Sequence, residues 1–304
     1  MTREITARGK QLVQDRATAQ EGLALLQRAA AAGGGEASAQ LSVMAAAGVL
    51  QPPDWNRALD LLCAAAQQGW APAQAELRLL ARGEGEDYAG LRRSVDLAAL
   101  LRPRPTRILS AAPRMHWAES FLSRAECAWL IARGRARLRR ATVYDPRSGA
   151  EIVAAARSNS AADFPVLEAD LVFVLINARM AATVGLPSPL FEAPNVLHYA
   201  PGESFAPHHD YFDPREASGA AELARGGQRI ATLLVYLNDA YEGGETDFPV
   251  LGKRFKGRTG DALFFANVDP GGKVDPSTRH TGLAPTRGEK WLLSQWVRDR
   301  VQGA

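Results

Sequence analysis

The spacing of apolar positions changes along the chain, and the change divides it. From residue 2 to about 82, Ala and Leu recur at helical spacing with almost no strand formers between them. Both residues lead the helix scale, so this stretch reads as helical. It also repeats itself. Leu25, Leu26, Ala29, Ala30 and Gly33 recur as Leu61, Leu62, Ala65, Ala66 and Gly69, an offset of 36. Ala37, Ala39 and Leu41 recur as Ala73, Ala75 and Leu77 at the same offset. A period in this range predicts stacked helix pairs. The small residues allow close helix approach, and the glycines fall where a left-handed residue would close each first helix.

Residues 83–107 break the pattern with Gly83, Gly85, Gly90, Pro103 and Pro105. A helical piece from Leu91 to Leu101 fits inside, and the prolines stop it. A domain boundary is expected here. Beyond it, Ser123 and Glu126 form a capping box ahead of Cys127, Leu130 and Ile131. From Phe164 to Val184, Leu167, Leu171, Val174, Leu175, Ala178 and Ala182 keep helical spacing, until Gly185 and Pro187 end it. After Asn195 the period becomes that of strands. Thr232 to Leu237 is apolar on both faces, as in a strand inside a sandwich. In Lys290 to Val297, alternation puts Lys290, Leu292, Ser294 and Trp296 on one face. Short strands between Gly-rich turns predict a double-sheet jelly roll. The Ala- and Glu-rich insert from Arg215 to Gly227 reads as a mobile flap. The expected fold is α+β, with helical repeats (1–82), a linker with a short helix (83–107) and a jelly-roll domain with supporting helices (108–304, core 193–300).

Composition narrows the function classes. A net charge of +3 does not mark a nucleic-acid binder, and the arginines between Arg133 and Arg140 read as solvated charge rather than a phosphate stripe. No run of 18 apolar residues occurs, so no membrane partner is expected. Cys63 and Cys127 lie far apart in helical segments, which speaks against a disulfide framework. With no apolar leader at the start, a cytoplasmic protein is expected.

The chemistry gathers around His208-x-Asp210. Side chains two apart on a strand share a face and can reach one metal ion. Alone, the pair is a weak signal. However, four of the five histidines (His198, His208, His209, His280) fall within one segment. With His280 as third ligand, two imidazoles and a carboxylate would occupy one face of an octahedral ion and leave the others open, as non-haem Fe(II) oxygenases do. His209 should face the opposite way.

Residues Asn195 to Arg298 resemble the catalytic domain of prolyl 4-hydroxylases, within the 2-oxoglutarate- and Fe(II)-dependent dioxygenases. Five blocks carry the resemblance in order: Tyr199-x-x-Gly202-Glu-x-Phe-x-x-His208-x-Asp210; Arg229-Ile-Ala-Thr232-Leu-Leu-Val-Tyr236-Leu-Asn238; Gly243-Gly244-Glu245-Thr246-x-Phe248-Pro249; Gly260-Asp261-Ala-Leu-Phe-Phe265; and His280-x-Gly282-x-x-Pro285-x-x-Gly288-x-Lys290-Trp291-x-x-x-Gln295-Trp296. The helical repeats resemble Sel1-like repeats, which are related to tetratricopeptide repeats.

The resemblance implies Fe(II) on His208, Asp210 and His280. It implies 2-oxoglutarate chelated to the iron with its distal carboxylate on Lys290, a cation that would otherwise be buried without an anion. O2 is the oxidant, with ascorbate as an accessory. Tyr199 and Thr246 would lie beside the co-substrate, Tyr236 more weakly so, and Arg157, in Arg157-Ser158-Asn159-Ser160, on the substrate side. Phe264, Phe265, Leu292 and Trp296 would wall the site. The implied reaction hydroxylates an unactivated C–H of a peptidyl proline or another protein side chain, coupled to decarboxylation of 2-oxoglutarate to succinate. The alternative is an interaction protein that works through its helical repeats, with a non-catalytic jelly roll. The repeats could equally be a cap on the enzyme or a surface for a protein partner.

Overall fold

Helix formation in the first part of the chain follows the repeat. The computed structural model describes residues 2–144, 151–152 and 156–302. Helices α1 (Thr2–Leu12), α2 (Ala19–Ala31), α3 (Gly35–Ala47), α4 (Trp55–Gln67) and α5 (Ala71–Ala81) come first. Helices α2 and α4 start 36 residues apart, and so do α3 and α5. Gly33 and Gly69, after α2 and α4, have φ of 82° and 79°, a region that costs glycine little. Leu26, Ala29, Ala37, Leu41 and Met44 form a buried cluster. Two helices, α6 (Tyr88–Ser94) and α7 (Leu97–Leu101), occupy the stretch read as linker, where one was expected from Leu91 to Leu101. The break comes from Asp96, whose carboxylate accepts from the Ala99 N–H at 2.9 Å and so starts a new helix.

By its internal packing the chain divides into two units. One runs to Arg102 and adds Phe164–Arg179; the other is Pro103–Asp163 with Met180 onward. Helix α8 (Arg124–Arg135), in the second unit, opens on the capping box read from the sequence. Ser123 Oγ accepts from the Glu126 N–H, and Glu126 accepts from the Ser123 N–H at 2.8 Å. Helix α9 (Leu171–Val184) begins later than its apolar spacing suggests. The expected start was Phe164, but the Phe173 N–H bonds to the Asp170 carboxylate at 3.1 Å, which places a helix start there. The Leu171 N–H is taken by Glu76 at 2.9 Å.

The second unit is built from antiparallel strands. In chain order they are β1 (Arg107–Ala111), β2 (Arg114–Ala118), β3 (Arg139–Arg140), β4 (Val143–Tyr144), β5 (Glu151–Ile152), β6 (Ser160–Asp163), β7 (Asn195–Tyr199), β8 (Phe205–His208), β9 (Arg229–Tyr236), β10 (Glu242–Gly243), β11 (Thr246–Phe248), β12 (Lys253–Phe255), β13 (Ala262–Ala266), β14 (His280–Gly282), β15 (Pro285–Arg287) and β16 (Lys290–Arg298). The large sheet has the order β1-β2-β13-β9-β16-β7-β6-β3, and the small sheet β12-β11-β14-β8. Inner faces of both sheets share one core, in which Leu234, Tyr236, Phe265 and Leu292 of the large sheet meet Phe248 of the small one. This is the double-sheet jelly roll of an α+β chain. Register sets what faces the interior. Lys290 is opposite Tyr199, Leu292 opposite Leu197, and Trp296 opposite Thr232.

The insert after Asp213 forms helix α10 (Ala217–Gly226). A free flap was expected, yet buried Glu222 of this helix accepts from Arg298 Nη2 at 2.8 Å. Arg298 also donates to Glu192, whose carboxylate takes two bonds from Arg229 at 2.7 and 2.8 Å. Burial raises the Glu192 pKa, but Arg229 and Arg298 outweigh it and hold the carboxyl below its ordinary range. The ion pairs therefore contribute fully at neutral pH and are lost as pH falls through that lowered pKa. Glu192→Ala would remove the carboxylate that Arg229 and Arg298 share in a dry setting. It is expected to cost about 3–5 kcal/mol in chemical denaturation. A loss under about 1 kcal/mol would mean that water replaces the carboxylate at little cost.

Candidate active site

Strands β8 and β14 are neighbours, and their register puts His208 directly opposite His280. The imidazole centroids are 4.4 Å apart. Asp210 lies two residues beyond the end of β8, in a bend rather than on the strand. The strand alternation expected for His208-x-Asp210 therefore does not bring its carboxylate in; the backbone bend does. Asp210 Oδ1 is 3.6 Å from His208 Nε2, and Oδ2 is 3.6 Å from His280 Nε2. One donor atom from each residue lies within 4.8 Å of the others.

Each imidazole is oriented from behind. His208 Nδ1 is 2.8 Å from the Ala206 carbonyl, and His280 Nδ1 is 3.0 Å from the Thr278 carbonyl. A carbonyl only accepts, so Nδ1 carries the hydrogen in both rings and Nε2 is the atom turned to Asp210. Phe205 stacks on His208 with centroids 3.5 Å apart, and Phe248 on His280 at 5.3 Å. Burial, then the neighbouring His208, pushes the His280 pKa down to about 4, so its ring is neutral at pH 7. Burial alone would raise the Asp210 pKa. The neighbouring His280 and His208 outweigh it and hold the carboxyl well below its usual range.

The three residues open onto a recess enclosing about 400 Å³ of empty space, part of it continuous with solvent. Lys290, Leu292, Ser294 and Trp296 all line it, as strand alternation requires. Lys290 is fully buried, and among the described residues its Nζ has no hydrogen-bond partner. The Tyr199 ring centre lies 4.9 Å from Nζ. Gly244, at φ 70°, lets the backbone pass the lysine stem: a Cβ there would lie 3.0 Å from the Tyr241 ring and 3.4 Å from Lys290 Cδ. Burial, opposed only weakly by Glu245, pushes the Lys290 pKa down to about 7.

Tyr199, Thr246 and Arg157 line the same recess. Burial raises the Tyr199 hydroxyl pKa to about 12, so it is a neutral donor. Thr246 Oγ1 accepts from the Tyr236 hydroxyl at 3.1 Å, which places Tyr236 behind Thr246 rather than in the recess. Arg157 donates through Nε to Asn159 at 3.1 Å and through Nη1 to the Thr142 carbonyl at 3.0 Å. Its guanidinium lies over the Phe205 ring at 4.7 Å, and among the described residues Nη2 has no partner.

A family model described as the 2OG-Fe(II) oxygenase superfamily matches residues 194–298. Prolyl 4-hydroxylase 1 of Arabidopsis thaliana is 35% identical over 214 residues, covering 64% of this chain and 72% of that protein. The chain belongs to the 2OG-Fe(II) oxygenases of prolyl 4-hydroxylase type. Probable prolyl 4-hydroxylase 6 of the same plant is 35% identical over 220 residues, 66% of this chain and 74% of that protein. Among solved structures, a viral collagen prolyl hydroxylase of Paramecium bursaria Chlorella virus-1 in complex with 2OG is 29% identical. It covers 60% of this chain and 94% of its own, with a TM-score of 0.46. By the family match and the Arabidopsis relatives, the enzyme is a 2-oxoglutarate-dependent dioxygenase that uses Fe(II) and O2.

The residues present fit those groups. Two imidazole nitrogens and an ionised carboxylate are a donor set suited to ferrous iron. A buried ammonium with no partner fits one end of a dicarboxylate. Two expectations need adjustment. Phe264 does not wall the recess: strand alternation turns it to the opposite face of β13, against Phe121 at 5.7 Å. Phe265 does face inward, but as an edge-on support of His280 at 5.2 Å. His209 bonds to the Pro276 carbonyl at 3.2 Å and stacks on Tyr211, and it is not part of the recess lining. The sequence gives no role to Thr232 or Asn267, both fully buried beside Asp210. Their signal is that each is a lone polar residue in or next to an apolar strand.

Proposed function

We propose that this chain hydroxylates a prolyl residue of a peptide or protein, with His208, Asp210 and His280 holding Fe(II) and Lys290 holding the distal carboxylate of 2-oxoglutarate. The observation that carries the reading is Lys290, a fully buried cation with an unpartnered Nζ in the same recess as the two histidines and Asp210. Bound together, iron and oxo acid would supply the oxidising chemistry, with one atom of O2 ending in succinate as carbon dioxide is released and the other in the product hydroxyl. The chain's own residues bind, orient and exclude water. Backbone carbonyls fix both imidazoles. Tyr199 and Thr246 offer hydroxyls beside the co-substrate. Leu197, Leu234, Leu292 and Trp296 keep the recess apolar. Arg157, anchored through two of its nitrogens, would offer its third to a substrate carbonyl. Proline as target rests on the prolyl 4-hydroxylase relatives. The test is a panel of proline-containing peptides with Fe(II), 2-oxoglutarate and ascorbate, scored by mass spectrometry. The expected result is one added oxygen on proline, with succinate formed in equal amount. Succinate formed with no peptide modified would place the substrate elsewhere.

The lysine also predicts a pH dependence. A dicarboxylate pairs with the ammonium form, whose pKa is pushed down to about 7 in the free protein. Above that value, binding must take up a proton. Affinity for 2-oxoglutarate should therefore weaken by up to about tenfold per pH unit over the first unit or so above 7, and be nearly flat below it. Calorimetry in buffers of different ionisation enthalpy measures the proton uptake directly. No uptake at pH 8 would mean that the lysine is already charged in the empty recess.

A further inference from the structure

Asp210 does not stand alone behind its donor atoms. Its Oδ2 accepts a bond from Thr232 Oγ1 at 2.7 Å, and Thr232 Oγ1 accepts one from Asn267 Nδ2 at 2.9 Å. All three residues are buried, Thr232 and Asn267 completely. The direction of the chain follows from the carboxylate. A carboxylate that ligates a metal is ionised and can only accept, so the single hydroxyl hydrogen of Thr232 goes to it. The Asn267 amide must then present its NH₂ to Thr232, because a carbonyl there would compete for that hydrogen. Asn267 is held on the backbone as well: its N–H donates to the Ile230 carbonyl at 2.8 Å, and its carbonyl accepts from the Asp275 N–H at 2.9 Å.

We infer that Thr232, aimed by Asn267, is a positioning residue that occupies Oδ2 of Asp210 so that the carboxylate offers Oδ1 to the metal. Thr232 sits on β9 opposite Phe265 on one side and Trp296 on the other. A valine would fill the same space without burying a hydroxyl, and an unmated hydroxyl there would be costly. Among the described residues the hydroxyl is satisfied through Asp210 and Asn267. With Oδ2 engaged, the carboxylate resists rotating to clasp an ion with both oxygens. That keeps metal positions free for the oxo acid and O2. Hydrogen-bond partners behind metal ligands typically tune affinity by about 10–100-fold.

The inference rests on the metal-site reading, and the experiment separates the two. Co(II) is titrated anaerobically into wild type, His208→Ala, Thr232→Val and Thr232→Ser, with calorimetric affinity and the visible Co(II) bands as readouts. Binding in wild type that is lost in His208→Ala establishes the site. Thr232→Val should then bind about tenfold or more weakly with shifted bands, and Thr232→Ser should recover both. Wild-type affinity and bands in Thr232→Val would overturn the inference and leave the site reading intact. Should Thr232→Val not fold, Asn267→Leu keeps the hydroxyl but removes the group that aims it. Shifted bands in that variant support the inference, and unchanged bands overturn it.

Discussion

Lys290→Met should raise the 2-oxoglutarate concentration for half-maximal turnover by about 30-fold or more, while the ligand-free protein becomes no less stable than wild type. The two effects have one cause. Truncating one partner of a buried charge pair costs about 2–5 kcal/mol, and each 1.4 kcal/mol is tenfold. In the ligand-free protein the same ammonium is buried with no partner among the described residues. Its replacement by an apolar chain of similar length then removes a desolvation penalty rather than a contact. Initial-rate kinetics give the first effect and thermal unfolding without co-substrate the second. A variant that loses both co-substrate affinity and ligand-free stability would mark Lys290 as a structural cation. A variant with unchanged affinity would place the distal carboxylate elsewhere.

His280→Ala should abolish succinate formation, a larger loss than the roughly 10–100-fold expected for partners behind the ligands. His280 is buried, its Nε2 is 3.6 Å from Asp210, and its ring is held by the Thr278 carbonyl and by Phe248. His209→Ala is the matched control. That ring bonds to the Pro276 carbonyl and stacks on Tyr211, and its removal should leave turnover within a few-fold of wild type. Equal losses in the two variants would remove the distinction between them. A His280→Ala enzyme with near-normal succinate formation would exclude it as a ligand.

The lining of the recess is legible in the sequence wherever strand alternation carries the information. Lys290, Leu292, Ser294 and Trp296 share one face in the sequence and line one recess in the fold. The 36-residue offset in the repeats reappears as the spacing of helix starts, with both glycines at positive φ. What was not legible depends on long-range contacts. Nothing local shows that Asp210 leaves the strand and is gripped by Thr232, or that Asn267, in a different loop, completes the chain. The α10 insert is rich in Ala and Glu and reads as loose. Its attachment is Glu222 to Arg298, 76 residues away. The late start of α9 likewise reflects Asp170 as a local cap, which apolar spacing alone overlooks.

The most direct test is an anaerobic titration of the full chain with Fe(II) and 2-oxoglutarate, followed by visible absorption. An Fe(II)–2-oxo acid chelate has a weak charge-transfer band. The account predicts that band in wild type, its absence in His280→Ala, and in Lys290→Met its appearance only at much higher 2-oxoglutarate. A folded wild-type protein that takes up Fe(II) and shows no band at saturating 2-oxoglutarate would contradict it.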